Sequence, residues 1–513
     1  MLDFCAKTLA SFFLLVGLLV PAGVAPAWAE RPATEPETML LAPDGVTNVQ
    51  ELPRMGPRVP VHREMPFLVP DLQELRDTKE GHAAAAQPAP AASAQVTSSA
   101  LNIPSSTGGF MGLRRSESGG WIPPDTQIGV GPNYIVEAVN LEMRIWPRSG
   151  SVVSTVDLNT FFQTSAQLSD PKIRFDADSQ RWFIAVISYN NSFTAGAWRL
   201  AVSTDATPAT FVRYVISTSK SAPDFPALAV THDKVVLTAN AFRGNSFLGT
   251  EFLVINKANL GAGGSAASSY FGPPQGLFTI QPAQSRSATS TLYMAAAAYN
   301  SATSLRVWSV DGVPGVGAGV TVTTTNLSIN SLTSPPDAQQ KGSTVLIQTN
   351  DNRLLDAAYE NGALWVSATS ACQPQGDSQA RACLRFIKVS TGGGISKTQD
   401  FDFGQSGLYY YYPAIQIDGN GSLVSVFSGS SSQTFAGVYA SGQRYNAGAN
   451  TFQSPVPLKG GENSYTPFAS RWGDYSGASI DPSDLSTVWV AGEYVRTEGS
   501  SEWGTWIAPV QIP

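Results

Sequence analysis

A strand, a tight turn and a second strand recur seven times along the chain, and this repetition constrains the fold more than any other feature. The clearest copy runs Tyr412-Pro413-Ala414-Ile415-Gln416-Ile417, turns at Asp418-Gly419-Asn420-Gly421, and resumes Ser422-Leu423-Val424-Ser425-Val426-Phe427. Gly and Asn adopt positive φ at little steric cost, so such a turn between alternating apolar runs signals a hairpin. Other copies open at Asp125, Asp170, Asp224 and Asp474, and a fifth turns at Glu360-Asn361-Gly362 between Leu354-Leu355 and Leu364-Trp365-Val366. A weaker one lies between Pro282 and Asn300. The markers recur at intervals of roughly 45 to 60 residues, near the period of a four-stranded propeller blade with some loops lengthened. Such a unit cannot bury both faces alone and must stack into a ring. The expected fold is all-β: a seven-bladed β-propeller over residues 106–513, favoured over a large sandwich or β-helix.

Upstream of the repeats the chain changes character. Residues 1–29 read as an export signal: an apolar run from Leu9 to Val20, too short for a comfortable bilayer span, precedes Ala27-Trp28-Ala29, which places cleavage between Ala29 and Glu30. An uncleaved anchor is the alternative. Residues 30–105 are Pro- and Ala-rich and are expected to form a disordered linker, with one short helix at 70–76. The last repeat is one strand short. A strand from the segment before Trp121 is expected to pair with the blade ending near Val510, closing the ring and leaving no open edge.

The sequence carries 46 Gly, 35 Pro and 14% charged residues, as befits strands joined by turns. A net charge of −7 argues against nucleic acid as partner. No second apolar span follows residue 29, so the expected product is secreted or periplasmic, free of the membrane once the signal is cleaved, and monomeric. Cys372 and Cys383, which flank one hairpin loop, are expected to form a disulfide, as suits an exported protein.

Several repeats carry an acid where the first strand begins: Asp125, Asp170, Asp224 and Asp474. First strands line the central channel of a propeller, so these acids should converge on one rim together with Arg174, Tyr412, Arg471 and Trp472. A rim of carboxylates and aromatic rings suits a carbohydrate or a protein ligand. The alternative is that each Asp caps a turn by accepting backbone N–H groups. Like charges at close range also require an Arg or a cation between them. The turns at Asp176-Ala177-Asp178 and Asp418-Gly419-Asn420-Gly421 resemble fragments of calcium loops, yet neither reaches a bidentate Glu, so turn chemistry is the reading. No cofactor is implied; a structural calcium ion is the one metal these turns would suit. Histidine is scarce, with only His62, His82 and His232, and His232 alone lies among the repeats. That disfavours a Ser-His-Asp hydrolase or a His-ligated metal and leaves carboxylate or Tyr chemistry, as in glycoside hydrolases or polysaccharide lyases, as the enzymatic alternative.

Two stretches, Pro123-Pro124-Asp125-Thr126-Gln127-Ile128-Gly129-Val130-Gly131-Pro132 and Arg471-Trp472-Gly473-Asp474-Tyr475-Ser476-Gly477, resemble signatures of a family of exported bacterial propeller-like proteins, as does Asp170-Pro171 combined with Arg181-Trp182. The resemblance spans about Gly109 to Pro513 and implies a fold and an export route, without a reaction. Sialidases share the propeller idea, but their Ser-x-Asp-x-Gly-x-x-Trp box is missing here.

Overall fold

The computed structural model describes residues 36–56, 59, 61–84, 95–97, 103–148, 151–218, 221–273, 277–467 and 471–513. The signal segment and its cleavage point at Ala29 lie outside these residues. The chain is a seven-bladed β-propeller. Each blade is an antiparallel sheet whose first strand faces the central axis. The innermost strands are Gln127–Val130, Gln167–Asp176, Ala222–Val230, Phe278–Pro282, Leu354–Glu360, Tyr409–Ile417 and Gly477–Ile480. These strands are buried almost continuously on both faces, because each sheet packs between two neighbours. Trp182, Ile173 and Val136 lie in one such interface, and Val424, Val490 and Val510 in another.

Ring closure follows the expectation from the short last repeat. Phe110–Arg114 pairs antiparallel with Trp503–Val510 as the outermost strand of blade 7, and Ser105 bridges Gln511 beside it. Noncovalent pairing between the two ends of the repeat region closes the ring. Leu113 is fully buried in this strand, and its backbone N–H donates to Glu137 of blade 1 at 2.9 Å. The Cys372–Cys383 disulfide is present, joining the second and third strands of blade 5 with Cα atoms 5.8 Å apart. The fourth repeat was faint in sequence because blade 4 is interrupted: after Pro282 the chain leaves the sheet, and Gln284–Ser285 pairs with blade 5 before blade 4 resumes at Leu292.

The described parts of residues 30–105 depart from the expected linker. Pro43–Asn48 adds a fifth strand to blade 2, and Glu37–Leu41 adds one to blade 3. Gln95–Thr97 pairs with Thr451–Gln453 of blade 6. Composition misled here because an added edge strand needs little apolar surface. Leu41, Thr47 and Val49 are the buried anchors, while backbone hydrogen bonds to an open blade edge hold the rest. The short helix expected at 70–76 is a longer one, Leu72–Ala84.

Candidate functional site

The inner strands share a local device that the sequence did not announce. Asp125 (φ 52°), Asp170 (φ 55°), Phe225 (φ 49°), Thr279 (φ 58°) and Tyr412 (φ 55°) are all left-handed, and none is glycine. The pairing register slips at four of these positions, between Ser169 and Lys172, Asp224 and Ala227, Phe278 and Gln281, and Tyr411 and Ala414. Each slip is a β-bulge, which re-aims a side chain by inserting a residue into one strand. Non-glycine residues pay about 1–3 kcal/mol for such a conformation, and the surrounding packing must enforce it.

The bulges gather a polar lattice at the end of the channel where the inner strands begin. Asp125 Oδ1 accepts from the Asp474 backbone N–H at 2.8 Å, and its Oδ2 accepts from Asn140 at 2.7 Å. Asn140 Oδ1 in turn accepts the Asp170 N–H at 3.0 Å. Tyr475 donates to Asp170 at 2.9 Å, and Lys172 lies over the Tyr475 ring. Asp474 is held by Arg471 at 2.7 Å and by Asn350 at 3.1 Å. Arg353 grips Asp351 through two hydrogen bonds and stacks over Phe225, with its guanidinium 4.2 Å from the ring centroid.

Electrostatics follow from crowding these charges out of water. Burial, then the neighbouring Asp474 and Asp170, push Asp125 well above the usual carboxylate range. Burial and the nearby Asp170 do the same to Asp224. Asp170 is raised by burial although Lys172 opposes it. Burial pulls Lys172 down to about 7, against the attraction of Asp170 and Asp125. Arg353 and Arg471 lie among the carboxylates and supply the cations such a cluster needs.

The expected site residues are therefore brought together, with three differences. First, the acids sit inside the channel beneath residues 61–84 rather than on an open rim. Arg63–Glu64 pairs with Trp121–Ile122, Arg471 stacks on Phe67 at 5.0 Å, and Leu68 packs on Phe242 and Phe278. The helix Leu72–Ala84 is pinned to the propeller by Lys79–Asp337 at 2.6 Å and Thr78–Asn300 at 2.8 Å. Second, Trp472 is fully buried, donates to Ser428 at 2.9 Å and meets Tyr465 edge-on, so it presents no ring face to solvent. Tyr412 is likewise buried, donating to the Gln348 carbonyl at 3.1 Å. Third, Arg174 belongs to the opposite half of the channel, 3.8 Å from Asp356. Two residues beyond Lys172 on the same inner strand, Arg174 lines both the narrow space it shares with Gln127, Lys172 and Gln281 and the wider cavity at the far mouth. The backbone N–H that Asp125 takes belongs to Asp474 of another blade and not to its own turn; turn capping is seen at Asp418, whose carboxylate accepts the N–H groups of Asn420 and Ser422.

Sequence reading missed Asn140, Lys172, Asn350, Asp351, Arg353 and Tyr475. The signal available was the dipeptide of a non-glycine residue followed by proline at the bulge, seen at Asp170-Pro171, Phe225-Pro226 and Tyr412-Pro413.

Fold and channel define a β-propeller with a buried, charged axial cluster. No protein-family model matches the sequence, and no curated protein matches it. Among solved structures it is similar to a protein of unknown function from Dyadobacter fermentans, at 12% identity and TM-score 0.34, covering 76% of this chain and 94% of that one. It is also similar to an α-L-arabinanase of Penicillium chrysogenum complexed with arabinobiose, at 11% identity and TM-score 0.38, covering 80% and 99%. A GH93 α-L-arabinofuranosidase of Fusarium graminearum gives 9% identity and TM-score 0.38, covering 76% and 92%. No described helix is long and apolar enough to cross a membrane.

Proposed function

We propose that this protein is an exported carbohydrate-binding propeller whose ligand site is the acidic end of the channel, over which residues 61–84 lie as a cover. The observation that carries the reading is the set of non-glycine left-handed residues, Asp125, Asp170, Phe225 and Tyr412, repeated at matching places in the ring. Strain repeated at one end of a channel, next to charges whose ionisation is displaced, is the pattern that functional sites show. Carboxylates supply acceptors for sugar hydroxyls, and Lys172, Arg353 and Arg471 beside them supply donors. The ligand reaches them when the cover shifts from its contacts at Phe67 and Leu68.

A glycan array followed by calorimetry on the mature chain tests this. Phe67→Ala should strengthen binding by loosening the cover, and Asp474→Asn should weaken it at least tenfold. Glycan binding that neither variant alters would refute the site. A second reading, glycoside cleavage, is favoured by Asp125, Asp170 and Asp224 being held toward their protonated forms, as a general acid must be. Polysaccharide turnover abolished by Asp170→Asn would decide for it.

A further inference from the structure

The other mouth of the channel, where the inner strands end, holds a cavity of about 340 Å³. That is within the range of small-molecule pockets, about 300–1,000 Å³. Val130, Phe175, Ile480 and Leu485 form an apolar wall. Facing them are two guanidinium groups, Arg174 and Arg286.

The two arginines are unequally satisfied. Arg286 pairs with Glu360 at 3.1 Å and donates to the carbonyls of Ile417 and Asp418. Arg174 donates from Nη1 to the Ile173 carbonyl at 3.1 Å, and its Nε has no hydrogen-bond partner among the described residues. Its nearest carboxylate, Asp356, stands 3.8 Å from Nη2, beyond hydrogen-bonding range. Both Asp356 oxygens are already engaged, by the N–H groups of Ala357 at 2.9 Å and Ile415 at 3.0 Å. A guanidinium has five N–H donors and stays charged, so a buried one left this short of acceptors carries a standing cost.

Neighbouring polar groups do not make up the deficit. Gln284 Oε1 accepts from Val230 N–H at 3.0 Å, Gln416 Oε1 from Ile417 N–H at 2.8 Å, and Ser479 Oγ from Val130 N–H at 3.1 Å. These acceptors are spent on backbone, so the side chains offer a guest mainly donors. Asp176, Asp178 and Glu360 are the acids that line the cavity; Glu360 already balances Arg286, and Asp176 pairs with Lys257 at 2.9 Å. Arg174 therefore keeps N–H donors for one carboxylate guest, beside an apolar wall and amide donors suited to hydroxyls.

We infer that this mouth is a second binding site, for a small monocarboxylate with a hydroxylated body about one sugar ring in size, its carboxylate forming a bidentate pair with Arg174. Arg–carboxylate geometry favours that two-point contact over a single bond. The site is separate from the acidic end and does not depend on the reading given for it.

Calorimetry on the mature chain with D-glucuronate and D-galacturonate, against D-glucose and D-galactose, tests the inference. A uronate should bind at least tenfold more tightly than the matching neutral sugar, and Arg174→Gln should remove that preference. Arg286→Gln is the second variant should Arg174→Gln not fold, and it should weaken uronate binding at least threefold by freeing Glu360 to repel the carboxylate. Uronates binding no better than neutral sugars, a uronate preference that survives in folded Arg174→Gln, or uronate binding unweakened in Arg286→Gln, would overturn the assignment.

Discussion

Glu137 offers the sharpest test of how the ring is closed. It projects from blade 1 beneath the terminal strand, fully buried, and accepts from the Leu113 N–H at 2.9 Å and from Thr126 at 3.2 Å. Gly112 crosses directly above it: a Cβ there would stand 2.5 Å from the carboxylate, so this position has no room for a side chain. Burial raises the Glu137 pKa from 4.5 to about 7, and the bonds from Thr505 and Leu113 only partly oppose the rise. A folded pKa above the unfolded one means that the folded chain holds a proton the unfolded chain has released. The associated stability is fully present below pH 4.5 and is lost as pH climbs through 7. Between pH 5.5 and 8 the loss from this one group is about 2 kcal/mol, taking 1.36 kcal/mol per pKa unit. Glu137→Gln keeps the shape and removes the titration. Urea unfolding at both pH values should therefore show the wild type losing about 2 kcal/mol more than the variant. Equal losses in the two proteins would show that Glu137 does not take up a proton on folding, and the account of the closing strand would fail with it.

Other outcomes follow from the same packing. Leu113→Ala, at a fully buried position of the closing strand, should cost about 2–5 kcal/mol in chemical denaturation. Reducing Cys372–Cys383, which closes a short loop, should lower stability by about 3 kcal/mol and leave the circular-dichroism spectrum of the folded chain unchanged. Trp472→Phe should lower the melting temperature through loss of the Ser428 hydrogen bond, with glycan binding unchanged in the folded variant, because the indole faces the core.

The blades were legible because their cause is local. Alternating apolar residues broken by Asp, Gly and Asn turns report a hairpin wherever they stand, as at Ile415 to Val426, and a terminal repeat lacking a strand announces its own completion. The covalent staple was legible for a similar reason, since Cys372 and Cys383 flank a single hairpin loop. The edge strands Glu37–Leu41 and Pro43–Asn48 were not, because they are held by backbone groups of distant blades, and backbone groups leave no mark in composition.

The sequence by itself determined a seven-fold ring of hairpins and the placing of acids at the start of several inner strands. Only the tertiary structure decided that Asp125, Asp170, Asp224 and Asp474 meet Arg353 and Arg471 out of water, that residues 61–84 lie over them, and that Arg174 faces the other mouth. The reason is that a bulge turns a side chain by an amount that depends on its partner strand, and which charges then meet depends on seven sheets converging on one axis. Neither quantity is written within any single repeat.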